Sequence, residues 1–530
     1  MIWHIFRKDA RLLWPMAALV AALNVCAAVP YRLIDHGIRT FQLGILGTLL
    51  PALALLSVIV VVVVAMHQDA IPGACQDWLI RPIRRVDLAL AKLLFVVLLV
   101  QLPLWVVDVG TALAEGFALP AASVAAAARN IQIFCEFALP AMMIGAITRT
   151  FVEAFVVAVG GFVLYVGIFL VGLSMLLGIK GTVGETGAAW MFNAAFDIAA
   201  PIGAALILAL QYLARRTSLA RWLVGVGGAL VVCVAYLPWP VAFSLQAALS
   251  PDPTAARAIT VGFDPQAGRY RLPAGAAQAV SSALHLPLRI GNVPADASVL
   301  MDRADVRIVG LDGTTLYQSK STISFDGRGS TLDGRFEVRA GHGDGPVHSI
   351  DERIYLPDDV YTRLADRPVR MSIDYSLTLF GPTGTYSLPA TGARQSLPGL
   401  GSCRTGIDAE GDDVEVGCLS TAQQPTCISA YLEQPATGLR NPETHFCNPD
   451  YTPALIGQFW PDTIHRTGGE VRFFDRTGMV RFPVDGSKLA AARLIIKTYD
   501  ARDHFTRHVD TPVVRLADLT GRAAQPVASR

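Results

Sequence analysis

The chain has 530 residues, 52% of them hydrophobic, and a formal net charge of only +1. A total charge so close to zero gives no reason to expect a nucleic-acid partner. The charges are unevenly distributed, because residues 1–250 contain 15 Lys or Arg against 11 Asp or Glu, whereas residues 251–530 contain 29 against 32. The average therefore hides an apolar first half and a polar second half.

Long apolar runs in the first half predict membrane-spanning helices. About 20 apolar residues are needed to cross roughly 30 Å of hydrocarbon. The clearest run is LGILGTLLPALALLSVIVVVVVAM, residues 43–66. The sixth predicted span is the weakest, because Asp197 and Pro201 fall near its start. The seven predicted spans are 13–30, 43–66, 88–113, 131–148, 151–177, 197–214 and 222–247.

The first twelve residues, MIWHIFRKDARL, mix large apolar and basic side chains. This pattern suits a helix lying in the headgroup layer, and Pro15 would then redirect the chain into the bilayer. The alternative is a frayed basic leader that only sets orientation.

Basic residues in the short connections predict the orientation, since Lys and Arg are retained on the cytoplasmic side. With the N-terminus in the cytoplasm, seven spans place everything after about residue 248 outside it. We therefore expect a multi-pass protein of the bacterial inner membrane with a periplasmic or extracellular C-terminal domain. Eleven of the 15 basic residues of the first half are then cytoplasmic: Arg7, Lys8, Arg11, Arg81, Arg84, Arg85, Lys92, Arg149, Arg215, Arg216 and Arg221.

Past residue 250 the sequence alternates polar and apolar residues between turn signals, which predicts antiparallel strands in a sandwich. Turns are predicted at D-G, G-P-T-G and R-T-G. Because 280 residues exceed one immunoglobulin-sized unit, we expect three domains in all: 1–250 in the membrane, a β-sandwich module at 251–398 and a second module at 399–530. The predicted strand segments are 298–319, 335–340, 367–388, 470–482 and 491–501.

Four cysteines of the second half, Cys403, Cys418, Cys427 and Cys447, lie within 45 residues of one another. Their spacing has no C-x-x-C, which disfavours zinc. Oxidised pairs persist outside the cytoplasm, so the cluster agrees with the orientation. Of three possible pairings we favour Cys403 with Cys418 and Cys427 with Cys447, because short loops close most easily.

Between the second and third spans lies QDWLIRPIRRVDLALAK, residues 76–92. Pro82 forbids one continuous helix, so we predict a short amphipathic segment, a bend and a new helix capped by Asp87. One interpretation needs nothing more than arginines that hold the loop inside and contact anionic lipid.

The stretch 65–103 also resembles the loop and third span of permease subunits of type-2 ATP-binding-cassette (ABC) exporters, in its R-P step and in the start of the next helix, where the family's L-x-x-K stands as Leu88-x-x-x-Lys92. IFRKDARLLWP is similar to that family's N-terminal elbow, and GAITRTFVEAFVVAVGG at 145–161 is similar to its tight basic turn. The resemblance covers about residues 1–215. Two departures are a short segment between the fifth and sixth spans and the added seventh span with its outer domain.

The resemblance implies that the loop docks on a cytoplasmic ATPase, and that two permease chains, identical or related, form the path. None of the six lysines follows a glycine, so the chain has no phosphate-binding loop of the G-x-x-x-x-G-K-[ST] type, and ATP would be bound by the partner subunit. We expect no enzyme activity and no cofactor in this chain. The implied coupling residues are Gln76, Asp77, Trp78, Leu79, Arg81, Pro82 and Arg85.

Acidic residues within spans mark a pathway or a pairing. Asp108, Glu136, Glu153 and Asp197 are candidates, and the predicted spans place each within about 11 Å of a membrane face, where solvation explains it. In the outer domain no catalytic motif occurs, and His504 and His508 are expected at the surface. The acidic run 408–415 is expected to be a solvated loop, without a metal.

Two functions of different classes follow. The first is a permease subunit that couples a separate ATPase to export of an unknown substrate. The second is a non-transporting membrane anchor that displays a binding or sensory β-domain.

Overall fold

The computed structural model describes most of both halves of the chain. The described residues are 1–35, 41–69, 84–114, 116–160, 189–235, 237, 239–265, 283–294, 296–319, 337–339, 347–390, 392–407, 414–419, 427–436, 438–440, 444–447, 470–472 and 491–520.

Helices make up the described part of the first half. They are α1 Ile2–Asp35, α2 Phe41–His67, α3 Arg85–Phe95, α4 Leu102–Ala114, α5 Leu119–Ile133, α6 Leu139–Ile147, α7 Phe151–Gly160, α8 Ala189–Ala209, α9 Thr217–Ala235 and α10 Trp239–Ala248. Three π-helical segments, Val96–Gln101, Phe134–Ala138 and Leu210–Ala214, join or extend them.

Five of these helical stretches are long and apolar enough to cross a membrane: Ile2–Ala28, Leu49–His67, Arg85–Ala114, Leu119–Ile147 and Ala194–Ala214. They overlap the first, second, third, fourth and sixth predicted spans. Phe151–Gly160 is the described part of the fifth, since residues 161–177 lie outside the described residues, and Thr217–Val231 is a shorter apolar helix that overlaps the seventh, so seven complete spans are not established.

Two local predictions in this half are wrong. Helix α1 continues through Pro15 without a break, and at about 1.5 Å per residue its 34 residues span about 51 Å, well beyond the hydrocarbon thickness. Helix α3 begins at Arg85 with Arg84 as its N-cap, and Asp87 lies in its first turn. An aspartate there still favours the helix N-terminus through the dipole, without capping it.

The second half contains antiparallel sheets, as the alternation predicts. The strands are β1 Thr260–Phe263, β2 Ala283–Gly291, β3 Ser298–Gly310, β4 Thr315–Ser319, β5 Glu337–Arg339, β6 Val347–Tyr355, β7 Pro368–Pro389, β8 Arg394–Leu397, β9 Gly401–Ile407, β10 Val414–Leu419, β11 Cys427–Gln434, β12 Leu439–Arg440, β13 Thr444–Cys447, β14 Glu470–Arg472, β15 Arg493–Asp510 and β16 Val514–Arg515. A short helix, α11 Asp358–Leu364, precedes β7, and a 3-10 turn, Leu516–Leu519, ends the described chain.

Strands β7 and β15 pair along almost their whole length and organise this half. One end of the pair shares a core with the three-stranded sheet β1-β2-β6, and the other end shares a core with the four-stranded sheet β14-β10-β9-β8. Residue 398 falls between β8 and β9 of the latter sheet. The boundary proposed there stays a prediction.

The predicted G-P-T-G turn does not form. Gly381–Gly384 lies inside β7, and the register passes from Thr498 opposite Gly384 to Tyr499 opposite Pro382. Thr383 is the extra residue of a bulge, where proline is tolerated within a sheet. Continuous pairing with β15 therefore overrides the local turn signal.

The predicted Cys403–Cys418 disulfide is present and links opposed residues of β9 and β10. Backbone register also places Cys427 of β11 opposite Cys447 of β13. That placement agrees with the second pairing, which stays a prediction.

Candidate functional site

A buried ionic cluster joins the start of α1, the end of α2 and the third span. Lys92 Nζ lies 2.7 Å from Asp9 Oδ2 and 2.6 Å from Asp69 Oδ2. Lys8 Nζ lies 2.8 Å from Asp69 Oδ1 and 3.3 Å from Asp9 Oδ1. Two cations therefore face two carboxylates, and we name Lys8, Asp9, Asp69 and Lys92 the ionic cluster.

The side chains of the ionic cluster differ sharply in how far they are buried. The side chains of Lys92 and Asp9 are 1% and 0% exposed, whereas that of Lys8 is 50% exposed. Burying an unpaired charge is strongly unfavourable, so Lys92 depends on both carboxylates. Asp9 Oδ1 is buried and accepts no hydrogen bond. Its contact with Lys8 Nζ, at 3.3 Å, is an ion pair without hydrogen-bond geometry. Lys92 is therefore the central cation of the cluster.

Asp69 stays ionised in this setting. Its partial burial would raise its pKa, but the charges of Lys92 and Lys8 and the hydrogen bonds they donate outweigh that effect and hold the pKa below its ordinary value. Tyr212, at the end of the sixth predicted span, is buried in the same hydrophobic core as Phe95 and Met66. Residues of the second, third and sixth spans therefore pack together in this core.

The cluster fixes one end of the 70–83 loop, and a second contact fixes the other. Asp69 immediately precedes that loop and is held by Lys8 and Lys92. Arg85 follows it and donates a hydrogen bond from Nη1 to the carbonyl oxygen of Leu213, at 3.4 Å. Asp69 is thus tied to Lys8 of α1, and Arg85 to the end of the sixth predicted span.

Of the predicted coupling residues, the structure describes only Arg85. Gln76, Asp77, Trp78, Leu79, Arg81 and Pro82 lie outside the described residues. The sequence placed Lys92 among the cytoplasmic basic residues and in the family pattern, but its acidic partners were not predicted. A signal was present, since a lone lysine inside the apolar run of the third span needs a carboxylate nearby.

The other acidic candidates occupy separate places. Asp108 forms an ion pair with Arg129 and accepts a hydrogen bond from Asn130 at 3.1 Å, which links the third and fourth spans. Glu153 pairs with Arg221 at 2.7 Å. Asp197 lies near the start of α8 and is only partly buried.

Glu136 lies farther from the ends of the fourth span than the sequence predicts. The fourth span begins at Leu119 and ends at Ile147, so Glu136 is 11 residues, about 16 Å, from its nearer end. It is buried in a π-helical segment and accepts a hydrogen bond from Gln132 at 3.0 Å. Interfacial solvation therefore does not explain this carboxyl group.

The two histidines of β15 differ from each other. His504 is buried, contrary to expectation, with its ring edge against Phe243 at 5.8 Å between centroids and its Nδ1 2.9 Å from Ser250 Oγ. His504 thus links the outer domain to α10. His508 is exposed, as predicted.

Around His508 the contacts resemble those of a hydrolase triad, but the chemistry does not. Ser372 Oγ lies 3.3 Å from His508 Nε2, and Asp374 Oδ1 lies 2.7 Å from Nδ1. Asp510 also lies 3.2 Å from Nε2. The hydrogen bond to Asp374 raises the pKa of His508. Asp510 competes with Ser372 for Nε2, the nitrogen that would have to accept the serine proton, so we propose no catalysis here.

A second contact joins the β-rich second half of the chain to the helices of the first half. Leu419 of β10 packs with Phe117 and Ala122, and the guanidinium of Arg404 lies 5.3 Å from the centroid of the Phe117 ring. Gly116, with φ +91°, turns the chain here, and a Cβ on it would lie 3.0 Å from Arg394 Nη2. The turn between α4 and α5 therefore lies on the same side of the helices as the sheets.

No known protein family matches this chain, and no curated protein matches it either. The resemblance to type-2 ABC permeases therefore depends only on the motifs of residues 1–215.

Proposed function

We propose that the chain is the membrane subunit of an ABC-type exporter, in which a separate cytoplasmic ATPase drives transport of a substrate still to be identified. The observation that carries the proposal is that the residues flanking segment 70–83, Asp69 and Arg85, form polar contacts with different helices. Asp69 is bound by Lys8 and Lys92, and Arg85 by the Leu213 carbonyl.

This geometry suits a loop that passes movement into the membrane. A surface turn that only reverses the chain needs no fixed ends, and exposed turns tolerate mobility. Here displacement of the loop would shift a buried lysine between two carboxylates, and such a packed ionic group moves as a unit with its helices. The ATPase would then drive α1 and the sixth predicted span together.

The orientation is part of the proposal. Arg85, the ionic cluster and the Arg221 contact with the Ile147 carbonyl lie at one end of the helices, whereas Phe117 lies at the other end with the outer domain. The excess of Lys and Arg at the first end supports a cytoplasmic location for it. Two copies, or one copy and a related partner, would complete the path.

The test compares two tryptophans. Trp78→Ala should lower copurification of the ATPase and abolish stimulation of its hydrolysis, because a buried aromatic anchor contributes about 2 kcal/mol or more to an interface. Trp14→Ala is the control, since Trp14 is 63% exposed on α1 and distant in sequence from the loop. If Trp78→Ala keeps full stimulation, or if no ATPase copurifies with the unmodified chain, the exporter proposal fails.

The β-rich half contacts the helices at two places, Phe117 and His504. These contacts also favour the second candidate, a rigid membrane anchor for a binding or sensory domain. The two candidates differ in one observable. An anchor has no ATPase partner, so purified chain should bind an extracytoplasmic ligand equally well with and without ATPase.

A further inference from the structure

We propose that the helix ends beside the 70–83 loop form a binding site for the headgroup of an anionic phospholipid. The site consists of Arg84, Arg85, Arg215 and Arg216, which we name the arginine patch. The proposal requires only that the chain is inserted in a membrane, and it is independent of the exporter hypothesis.

Two distant segments supply the patch. Arg84 and Arg85 begin the third span, and Arg215 and Arg216 follow the π-helical end of the sixth predicted span. The hydrogen bond from Arg85 to the Leu213 carbonyl holds the segments together. Arg215 takes the left-handed conformation, with φ 53°, which turns the chain sharply at this point. The fold therefore brings together two pairs of adjacent arginines that are about 130 residues apart in sequence.

Two arginines of the patch, Arg84 and Arg216, carry charge that no described side chain balances. All four arginines are exposed, and in the part of the chain that the structure describes the side chains of Arg84 and Arg216 have no hydrogen-bond or ion-pair partner. One carboxylate is near, that of Asp87 in the first turn of α3, and it forms no ion pair within the described residues. By contrast, Arg221 nearby is satisfied by Glu153 and the Ile147 carbonyl.

Apolar side chains beside the patch identify the source of the anion as a lipid. Val86 and Leu213 directly adjoin the arginines and are 49% and 65% exposed, and Trp222, one and a half turns along α9, is 67% exposed. Tryptophan is enriched at the membrane interface, where its ring lies at headgroup level. A phosphate held by the arginines would place its acyl chains against these apolar groups. Soluble phosphate would leave them uncovered.

The magnitude follows from membrane electrostatics. Each basic residue at an anionic surface contributes a factor of about five in affinity, so loss of two should weaken binding about 30-fold. Arginine also binds phosphate through two parallel hydrogen bonds, which adds geometric preference over lysine.

The experiment measures lipid retained by the purified full chain. Native mass spectrometry with added phosphatidylglycerol or phosphatidylcholine should show tighter retention of phosphatidylglycerol by the unmodified chain. Arg84→Gln with Arg216→Gln should reduce that retention about 30-fold. The matched control, Arg7→Gln with Arg11→Gln, removes the same charge from exposed positions of α1 and should leave retention nearly unchanged.

Several results would overturn the proposal. Equal loss in both double variants would show a general effect of charge, and equal retention of the two lipids would show no headgroup preference. Displacement of phosphatidylglycerol by millimolar inorganic phosphate would show a simple anion site. If the double variant keeps its lipid but loses a copurifying ATPase, the patch is a protein contact. Should the glutamine variant not fold, Arg84→Lys with Arg216→Lys keeps the charge and must retain the lipid.

Discussion

Replacing Lys92 with Met is the most direct perturbation of the ionic cluster. The side chain is 1% exposed and lies within 2.7 Å of Asp9 and 2.6 Å of Asp69, so its removal leaves Asp9 buried without a close cation. Breaking a buried pair from one side costs about 3–5 kcal/mol. Lys8 compensates little for the lost positive charge, because its Nζ lies 3.3 Å from Asp9 Oδ1 and its side chain is half exposed. We expect Lys92→Met to lower the melting temperature by about 10 °C.

Two controls separate burial from charge. Lys8→Met removes an equal charge from a half-exposed position and should cost about 1 kcal/mol or less, because solvent screens that pair. Adding Asp9→Asn to Lys92→Met removes the orphaned carboxylate and should recover part of the loss. Thermal unfolding of the purified variants in one detergent, followed by tryptophan fluorescence, measures all three. If Lys92→Met melts with the unmodified chain, or if Lys8→Met is equally harmful, the assignment of Lys92 as the central cation is wrong.

Three further predictions concern the outer domain and the topology. Burial lowers the pKa of His504 to about 4, against 6.5 when unfolded, so the neutral ring stabilises the fold above pH 6.5, and up to about 3 kcal/mol is lost as the pH falls from 6.5 to 4. Denaturant titrations at both pH values should show this loss, and His504→Gln should flatten it. Cys403→Ser with Cys418→Ser should cost on the order of 3 kcal/mol for a loop of 15 residues, and unreduced mass spectrometry should find two disulfides; four free thiols would contradict the extracytoplasmic assignment. An alkaline phosphatase reporter should be active after residue 255 and inactive after residue 80, and the reverse pattern would invert the orientation.

Several features of this fold are local in the sequence and were therefore predictable. Hydropathy adds up over neighbouring residues, so the apolar runs predicted five helices that are long and apolar enough to cross a membrane, and the change of composition predicted the β-rich second half. The Cys403–Cys418 bond joins neighbouring strands of one hairpin, where a loop of 15 residues closes easily. The turn at Asp312–Gly313 also formed as its residues predict, with Gly313 at φ +81°.

The tertiary structure decided those features that depend on contacts between segments distant in sequence. Lys92 and Asp9 are 83 residues apart, and nothing local indicates that α1 and the third span place them in contact. His504 is buried only because α10 packs on β15, and the G-P-T-G segment stays within a strand, as a bulge, only because β15 pairs with it. Glu136 lies far from the span's ends because the fourth span begins twelve residues before its predicted start, where small alanines carry too little hydropathy to mark it. Sequence pattern thus fixed which segments enter the membrane, whereas long-range packing chose the partners of each buried charge, since a charge is paired by proximity in space and not along the chain.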